Sequence, residues 1–173
     1  MKFAGLAWRA HDPRWSFKPL SGNGAAVHGG RFNPPGVPAL YLALDPMTAI
    51  KEINQGFAHK FEPCVLSTYE IDCDDIVDLT SDAGRKAAGA SAQDMACAWF
   101  SFRAERRAAP SQQLARRLME AGAAAILVPS YASGATAADR NLVLWQWSGE
   151  PPHKVSVFDP GGRLPRDQLS WGD

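Results

Sequence analysis

Short apolar segments, separated by proline, glycine and polar residues, most constrain what this chain can fold into. Each segment is five to eight residues long, which suits a strand and is too short for a typical helix. Proline and aspartate bound the first of them, "PALYLAL". The predicted strands cover residues 38–44, 64–71, 76–81, 124–130, 141–147 and 154–158. This pattern predicts a protein built around a sheet.

Helix signals occur between these segments. Asp45 and Pro46 supply an N-cap and a proline at the first helical position, directly after the first predicted strand. The helix that follows would share one apolar face among Ala49, Ile50, Ile53 and Phe57. Glu52 flanks that face, so we expect it at the edge of a cleft rather than in the core.

Two more helices are predicted further along the chain. Ser91 and Asp94 are spaced as in a capping box, which opens a helix running towards Arg107. Another helix begins at Pro110 and stops at Gly122. Its buried face would carry Leu114, Ala115 and Leu118.

The length of the chain and the order of its elements indicate the fold class. A chain of 173 residues buries roughly 70% of its unfolded surface on folding, so its core needs no disulfide or metal. Strand and helix signals mix without the strict βαβ alternation of a parallel sheet. We therefore predict an α+β fold with a mixed, mainly antiparallel sheet. Residues 1–173 are predicted to form this one domain.

Composition disfavours several classes of function. Lysine and arginine total 18, and aspartate and glutamate also total 18, so we expect no direct nucleic-acid binding. The three cysteines lack Cys-x-x-Cys spacing, which argues against a zinc site and a disulfide framework. No apolar run reaches the roughly 20 residues that span a bilayer. The first residues lack the pattern of a signal peptide, so we expect a cytoplasmic protein without membrane contact.

Common catalytic motifs are absent from the sequence. "GNGAAV" lacks the third glycine of the dinucleotide fingerprint, and no Walker A lysine follows a glycine loop. There is no His-Glu-x-x-His and no Gly-x-Ser-x-Gly. The four histidines are scattered, and His28 is of interest because it precedes two glycines. We expect neither a Rossmann site nor a metal site.

The stretch Gly29-Gly30-Arg31 carries the strongest local signal for a binding site. Two glycines can adopt positive φ and turn successive N–H groups towards an anion. A guanidinium beside them would add bidentate contacts to a phosphate or carboxylate. The alternative is a salt bridge that ties the loop to the domain.

Four other side chains are candidates, each with a structural alternative. Glu52 could be solvated or paired with a lysine. Tyr41 could be a core aromatic whose hydroxyl finds a partner, or a ring that stacks on a planar ligand. Ser130 could cap a turn, and Asn141 could hydrogen-bond to backbone.

Together and in this order, these residues resemble the RES domain, a family named for an arginine, a glutamate and a serine. "GGRFNPPGVPALYLALDPMTAIKEI" is similar to the core of that domain, with Arg31 in the GGRFN-type motif. Glu52 lies on the helix after "LYLA", and Ser130 lies in "LVPSYA". The resemblance covers about residues 8–147, and Ser133 is an alternative to Ser130 as the functional serine.

The resemblance implies a fold similar to that of ADP-ribosyltransferases, with NAD⁺ as the substrate and no metal. RES-domain proteins are toxins of bacterial toxin–antitoxin pairs, partnered by an antitoxin with an Xre-type helix-turn-helix. Family members consume NAD⁺ by passing ADP-ribose to a protein or by releasing it to water or phosphate. We expect mono-ADP-ribosylation of a protein, with an NAD⁺ glycohydrolase or phosphorylase as the alternative.

The resemblance also implies roles for the candidate residues. Glu52 would stabilise a ribosyl cation, Arg31 would grip the pyrophosphate together with glycine N–H groups, and Tyr41 would line the nicotinamide pocket. These three are the predicted catalytic residues. The predicted NAD⁺-binding residues are Gly29, Gly30, Arg31, Phe32, Tyr41, Ser130 and Asn141.

A non-catalytic binding module is an alternative from another class. Such a module would use the same pocket to sense a nucleotide, or its exposed aromatic residues to hold a partner. Trp145 and Trp147 alternate along one predicted strand and would therefore share a sheet face. Core packing is the commoner explanation for such a pair.

Overall fold

Seven strands form one mixed sheet in the computed structural model, which describes residues 1–54 and 62–169. The strands are β1 (Phe3–His11), β2 (Leu40–Ala43), β3 (Val65–Cys73), β4 (Ile76–Asp78), β5 (Ala125–Pro129), β6 (Arg140–Leu144) and β7 (His153–Val157). Their order across the sheet is β4-β5-β6-β2-β1-β3-β7. β4 and β5 are parallel, and the other neighbours are antiparallel. The predicted α+β fold with a mixed, mainly antiparallel sheet is confirmed.

Six helices accompany this sheet in the described residues. They are α1 (Asn23–His28), α2 (Pro46–Asn54), α3 (Asp82–Ala87), α4 (Ala92–Met95), α5 (Trp99–Ala104) and α6 (Pro110–Glu120). α2 and α6 begin where the sequence predicts, and Asp45 caps α2 by accepting from the Met47 N–H at 2.8 Å. Gly122, just after α6, has a φ of +92°, which suits the predicted stop. No helix among the described residues is long and apolar enough to cross a membrane.

The interior strand β1 and the short helices α1 and α3 are not in the sequence-based prediction. β1 pairs with β3 in register from Phe3↔Cys73 to His11↔Val65. Its own side chains alternate poorly between buried and exposed. A backbone ladder with a distant segment therefore stabilises this strand, and the local pattern does not reveal it.

The single helix predicted from Ser91 towards Arg107 is wrong. Ser91 does cap α4, accepting from the Asp94 N–H at 2.9 Å. The chain then leaves the helix after Met95, and α5 begins at Trp99. The carbonyl groups freed at the break accept hydrogen bonds from another part of the chain, and those bonds offset the lost helical ones.

Two apolar clusters cover opposite faces of the sheet. The first takes residues from every strand, including Leu42 on β2 and Leu142 on β6. The second places Ile126 on β5 and Val143 on β6 against the buried face of α6, which carries Leu114, Ala115 and Leu118. Burying one such leucine contributes about 1.5–3 kcal/mol. Because neighbouring residues of a strand point to opposite faces, Tyr41 and Asn141 lie on the helix-covered side.

Trp145 and Trp147 do not share a sheet face, because β6 ends at Leu144. Trp145 packs in the second cluster, and its Nε1 donates to the Phe32 carbonyl at 2.8 Å. Trp147 packs against the first cluster, and its Nε1 donates to the Leu20 carbonyl at 3.0 Å. Both indoles are thus packing residues rather than a partner surface.

The face predicted for α2 is partly confirmed. Ala49 is buried and Ile50 is half-buried, whereas Ile53 is 38% exposed. Phe57 lies outside the described residues. α2 packs against β1 and β2, which brings its last turn to the helix-covered side of the sheet.

Candidate active site

The carboxylate of Glu52 is held by two side chains from the sheet. Its Oε1 accepts from Ser130 Oγ at 2.6 Å and from Asn141 Nδ2 at 2.5 Å. Ser130 follows β5 and Asn141 is on β6, and these strands are antiparallel neighbours. Oε2 accepts no hydrogen bond from the residues that the structure describes. One oxygen is therefore fixed, while the other is available to a ligand.

The amide of Asn141 has a defined orientation. A carboxylate only accepts hydrogen bonds, so the donor Nδ2 must face Glu52 and Oδ1 must face the other way. Asn141 is 9% exposed, and its Oδ1 has no partner within the described part of the chain. Buried acceptors are nearly always satisfied in folded proteins, so this atom calls for a donor from a ligand or from water.

The guanidinium of Arg31 is held by backbone carbonyls. Its Nη1 donates to the carbonyls of Met95 at 3.0 Å and Cys97 at 2.7 Å, which are the groups freed by the break between α4 and α5. Its Cζ lies 4.4 Å from the ring centre of Tyr131. The other guanidinium nitrogens have no acceptor among residues 1–54 and 62–169. Arg31 ties the loop to the domain, as the structural alternative requires, but through carbonyls rather than a salt bridge.

The two glycines do not form the predicted pair of free N–H groups. The Gly30 N–H donates to the Asn33 carbonyl at 2.9 Å, so it closes a turn and cannot also bind an anion. Gly30 is nevertheless required, because a Cβ there would lie 2.7 Å from both Tyr41 Oη and Asn33 Oδ1. Gly29 has a φ of +72°, in the region that favours glycine.

Asn33 organises this loop and is not among the residues that the sequence singles out. It is fully buried, and its Nδ2 donates to the carbonyls of Ala25 at 2.9 Å and Val37 at 2.8 Å. Its Oδ1 accepts from the Tyr41 hydroxyl at 2.7 Å. That hydroxyl accepts in turn from the Phe32 N–H at 3.0 Å. A polar residue beside two prolines was the available signal, because such a residue often satisfies a turn.

Tyr41 and Phe32 differ in where they lie. Tyr41 lines the cavity described below, and burial raises the pKa of its hydroxyl well above the usual range. Phe32 is 2% exposed and belongs to the second cluster. Its side chain does not reach the cavity, so the inclusion of Phe32 among the ligand-binding residues is corrected to a core position.

These groups meet in a cavity of about 600 Å³ on the helix-covered side of the sheet. Its floor is a row set by strand register, in which Trp8 on β1 lies opposite Ala43 on β2, and Ala43 lies opposite Asn141 on β6. Six of the predicted residues line it: Gly29, Gly30, Arg31, Tyr41, Glu52 and Asn141. Ser130 contacts Glu52 at its edge, and Ser133 lines it without a bond to Glu52.

Sequence reasoning missed three aromatic residues of this cavity. Trp8, Trp99 and Tyr131 all line it. Trp8 lies on the unpredicted strand β1, and Trp99 begins α5 after the unpredicted break in the helix expected from Ser91 towards Arg107. Tyr131 follows Ser130 directly, so its place beside a candidate serine was the one available signal. His28, which is of interest in the sequence because it precedes two glycines, is exposed and lies outside the cavity lining.

The cavity offers charges of both signs on an aromatic surface. The Arg31 guanidinium and the Glu52 carboxylate come from different elements and line the same space. No cluster of three His, Cys, Asp or Glu side chains able to hold a metal occurs in the described residues. The arrangement can bind an anionic, aromatic ligand and place a fixed negative charge beside it.

Comparisons with known proteins agree with this fold. The model of the RES domain family matches residues 6–167. The structure is similar to a chain of the crystal structure of the M. tuberculosis MbcT-MbcA toxin-antitoxin complex, with a TM-score of 0.63 and 23% sequence identity. That match covers 92% of this chain and 84% of that chain. No curated protein sequence matches.

Proposed function

Because the chain belongs to the RES domain family, we propose that it is the toxin of a toxin–antitoxin pair and that it cleaves the nicotinamide–ribose bond of NAD⁺. We further propose that ADP-ribose is transferred to a protein. The observation that carries the proposal is the single cavity shared by the Arg31 guanidinium and the Glu52 carboxylate. The likeness in fold to a chain of a toxin–antitoxin complex supports it.

The cavity suits a dinucleotide. Its volume of about 600 Å³ lies within the range of roughly 300–1,000 Å³ typical of ligand pockets. Trp8, Trp99 and Tyr131 supply flat apolar surface for planar rings. Arg31, already oriented by two carbonyls and an aromatic ring, would bind the pyrophosphate with its remaining N–H groups.

The proposed chemistry uses the fixed carboxylate. The bond between ribose C1′ and the nicotinamide nitrogen breaks, its electron pair leaves with neutral nicotinamide, and positive charge develops on the ribose. Glu52 stabilises that charge without reorganising, because Ser130 and Asn141 already hold it. The acceptor then gives an electron pair to C1′ and releases its proton to solvent.

Asn141 and Tyr41 have supporting roles in this proposal. The unpartnered Oδ1 of Asn141 accepts from a hydroxyl of the nicotinamide ribose, which satisfies the buried acceptor. The Tyr41 hydroxyl is engaged with Asn33 and Phe32, so its ring rather than its hydroxyl faces the ligand.

The first experiment measures nicotinamide release by the purified protein and by Glu52→Gln. The substitution keeps the size of the side chain and removes its charge, so the rate should fall on the order of 10²–10³. Glu70→Gln is the matched control, since Glu70 is an exposed carboxylate on β3 away from the cavity. If the parent releases no nicotinamide with phosphate or cell lysate present, the enzyme proposal fails and a nucleotide-binding module replaces it.

The second experiment identifies the acceptor. Labelled NAD⁺ is incubated with the protein and whole lysate, and the products are separated by size. A discrete labelled protein band supports transfer to a protein. Label confined to free ADP-ribose or its phosphate ester would instead make the protein an NAD⁺ glycohydrolase or phosphorylase.

We also propose a cognate antitoxin with an Xre-type helix-turn-helix. A protein that consumes NAD⁺ must be silenced in its own cell, and an antitoxin over the cavity would do so directly. Such a complex should bury more than about 1,000 Å². The test is co-expression with the product of the adjacent reading frame, followed by nicotinamide release with and without that partner.

A further inference from the structure

Asp139, outside the cavity, accepts hydrogen bonds from α2. Its Oδ1 accepts from Thr48 Oγ1 at 2.6 Å, and both of its oxygens accept from Lys51 Nζ, at 2.9 and 3.0 Å. Asp139 is 6% exposed, and Thr48 is fully buried. Thr48 and Lys51 lie one turn and one residue before Glu52, so these bonds fix the turn that carries the carboxylate.

The same aspartate also fixes the chain between β5 and β6. Its Oδ2 accepts from the Thr136 N–H at 2.7 Å and from Thr136 Oγ1 at 2.9 Å. Its backbone carbonyl accepts from the Ser130 N–H at 2.8 Å. Asn141 follows two residues later on β6. Ser130 and Asn141 are thus each tied to Asp139 through the backbone.

Asp139 joins three segments: its side chain bonds to α2 and to the loop after β5, and its backbone leads directly into β6. They supply Glu52, Ser130 and Asn141, which are the members of the hydrogen-bonded group in the cavity. We propose that Asp139 is a positioning residue for the reaction proposed above, holding the Glu52 carboxylate in register with Ser130 and Asn141. The inference rests on that proposed function.

The charge state of Asp139 is consistent with this role. The Thr48 hydroxyl, then the Lys51 ammonium and the Thr136 donors, hold the pKa of Asp139 well below its usual range. The carboxylate therefore stays ionised at neutral pH and keeps all of its donors. Both of its oxygens contact Lys51 Nζ, so that ammonium is paired with Asp139.

Asp139→Asn is the first test, since it keeps the shape and removes the charge and one acceptor. We expect kcat for nicotinamide release to fall at least tenfold while KM changes less than threefold, because the misplaced carboxylate acts in the transition state. Asp78→Asn is the control, as Asp78 also accepts from a backbone N–H and a threonine hydroxyl, at 2.8 and 2.6 Å. Asp78 lies on β4, away from the cavity. The kcat of Asp78→Asn should therefore stay within twofold of the parent value.

A second pair of variants separates positioning from folding. Thr48→Val removes the hydroxyl and should lower kcat, whereas Thr48→Ser keeps it and should restore the parent value. The side-chain amide signal of Asn141 in a ¹⁵N NMR spectrum is assigned by its loss in Asn141→Asp. In Asp139→Asn, its chemical shift should move towards that of an amide without a hydrogen-bond partner. This second measurement needs no turnover.

The outcomes are separable. The positioning role would be overturned by the following result in an active parent. Both Asp139→Asn and Thr48→Val keep kcat within twofold of the parent, and the Asn141 amide signal does not move. A KM rise equal to the kcat loss would also contradict it, because it would indicate general damage to binding. An inactive parent refutes the proposed function, and the amide signal then decides alone whether Asp139 holds the group together.

Discussion

The two charged sides of the cavity are built in different ways. On the carboxylate side, Glu52 is held by the side chains of Ser130 and Asn141. On the guanidinium side, Arg31 is held by the backbone carbonyls of Met95 and Cys97. The first side depends on residue identity at a few positions. The second depends on backbone conformation, which many residues set together.

The two sides should respond to different kinds of substitution. One substitution on the carboxylate side should remove a contact to Glu52 and leave the fold in place. On the guanidinium side, damage comes through the residues that shape the loop, above all Asn33 and Gly30.

Asn33→Ala should lower the free energy of unfolding by about 3 kcal/mol or more, because each buried group left unsatisfied costs about 1–3 kcal/mol. The substitution removes the acceptor of the Tyr41 hydroxyl proton and the donor to the carbonyls of Ala25 and Val37. Urea unfolding measures the change, with Asn23→Ala at an exposed position as control. A change below about 1 kcal/mol would show that the loop keeps its shape without the side-chain hydrogen bonds of Asn33.

Arg31→Ala should weaken NAD⁺ binding by about tenfold to a hundredfold, because a charged hydrogen bond is worth about 1.5–3 kcal/mol. Calorimetry with NAD⁺ measures the affinity. Arg31→Lys serves as a partner variant: it keeps the charge but cannot reach carbonyls and phosphate together, so we expect an intermediate affinity. Parent-like affinity in both variants would remove Arg31 from the ligand site.

Ser130→Ala should lower kcat for nicotinamide release by about tenfold, since one hydrogen bond to a carboxylate is lost. Ser133→Ala is the matched variant, because Ser133 lines the cavity without bonding Glu52. Its kcat should change less than about threefold, as expected for an exposed hydroxyl. The reverse order would make Ser133 the functional serine.

Ionisation of Tyr41 should not affect the rate of nicotinamide release between about pH 6 and 9, because burial raises the pKa of its hydroxyl above the usual value of about 10. The pH–rate profiles of the parent and Tyr41→Phe should have the same shape. Since the folded-state pKa is raised, the stability that the neutral phenol contributes is present below about pH 10 and is lost as the pH rises further. A break in the parent profile near pH 8 that Tyr41→Phe abolishes would contradict this.

The contrast between the two sides also explains what could be predicted from sequence. Glu52 was expected at a cleft edge because helix periodicity and the cap at Asp45 are local signals. β2 and α6 follow from equally local patterns. The resemblance to the RES domain pointed to Ser130 and Asn141, but their hydrogen bonds to Glu52 depend on the pairing of β5 with β6.

What could not be predicted arises from contacts between distant segments. The break between α4 and α5 has no proline or glycine to signal it, and the freed carbonyls are satisfied by Arg31. The Gly30 N–H was expected to be free, yet it closes a turn with Asn33. β1 pairs with β2 and β3 rather than following its own apolar pattern. The local sequence pattern therefore gave no indication that Trp8 lines the cavity.

The position of β1 between β2 and β3 determines when the cavity of a newly made chain can form. Its neighbours β2 and β3 emerge from the ribosome after it. β2 also pairs with β6, which ends at Leu144 and is therefore made much later. The floor of the cavity runs from Trp8 through Ala43 to Asn141. Most of the chain must therefore be synthesised before that floor can form. Prematurely terminated chains that lack β6 therefore also lack the row of residues on which the cavity is built.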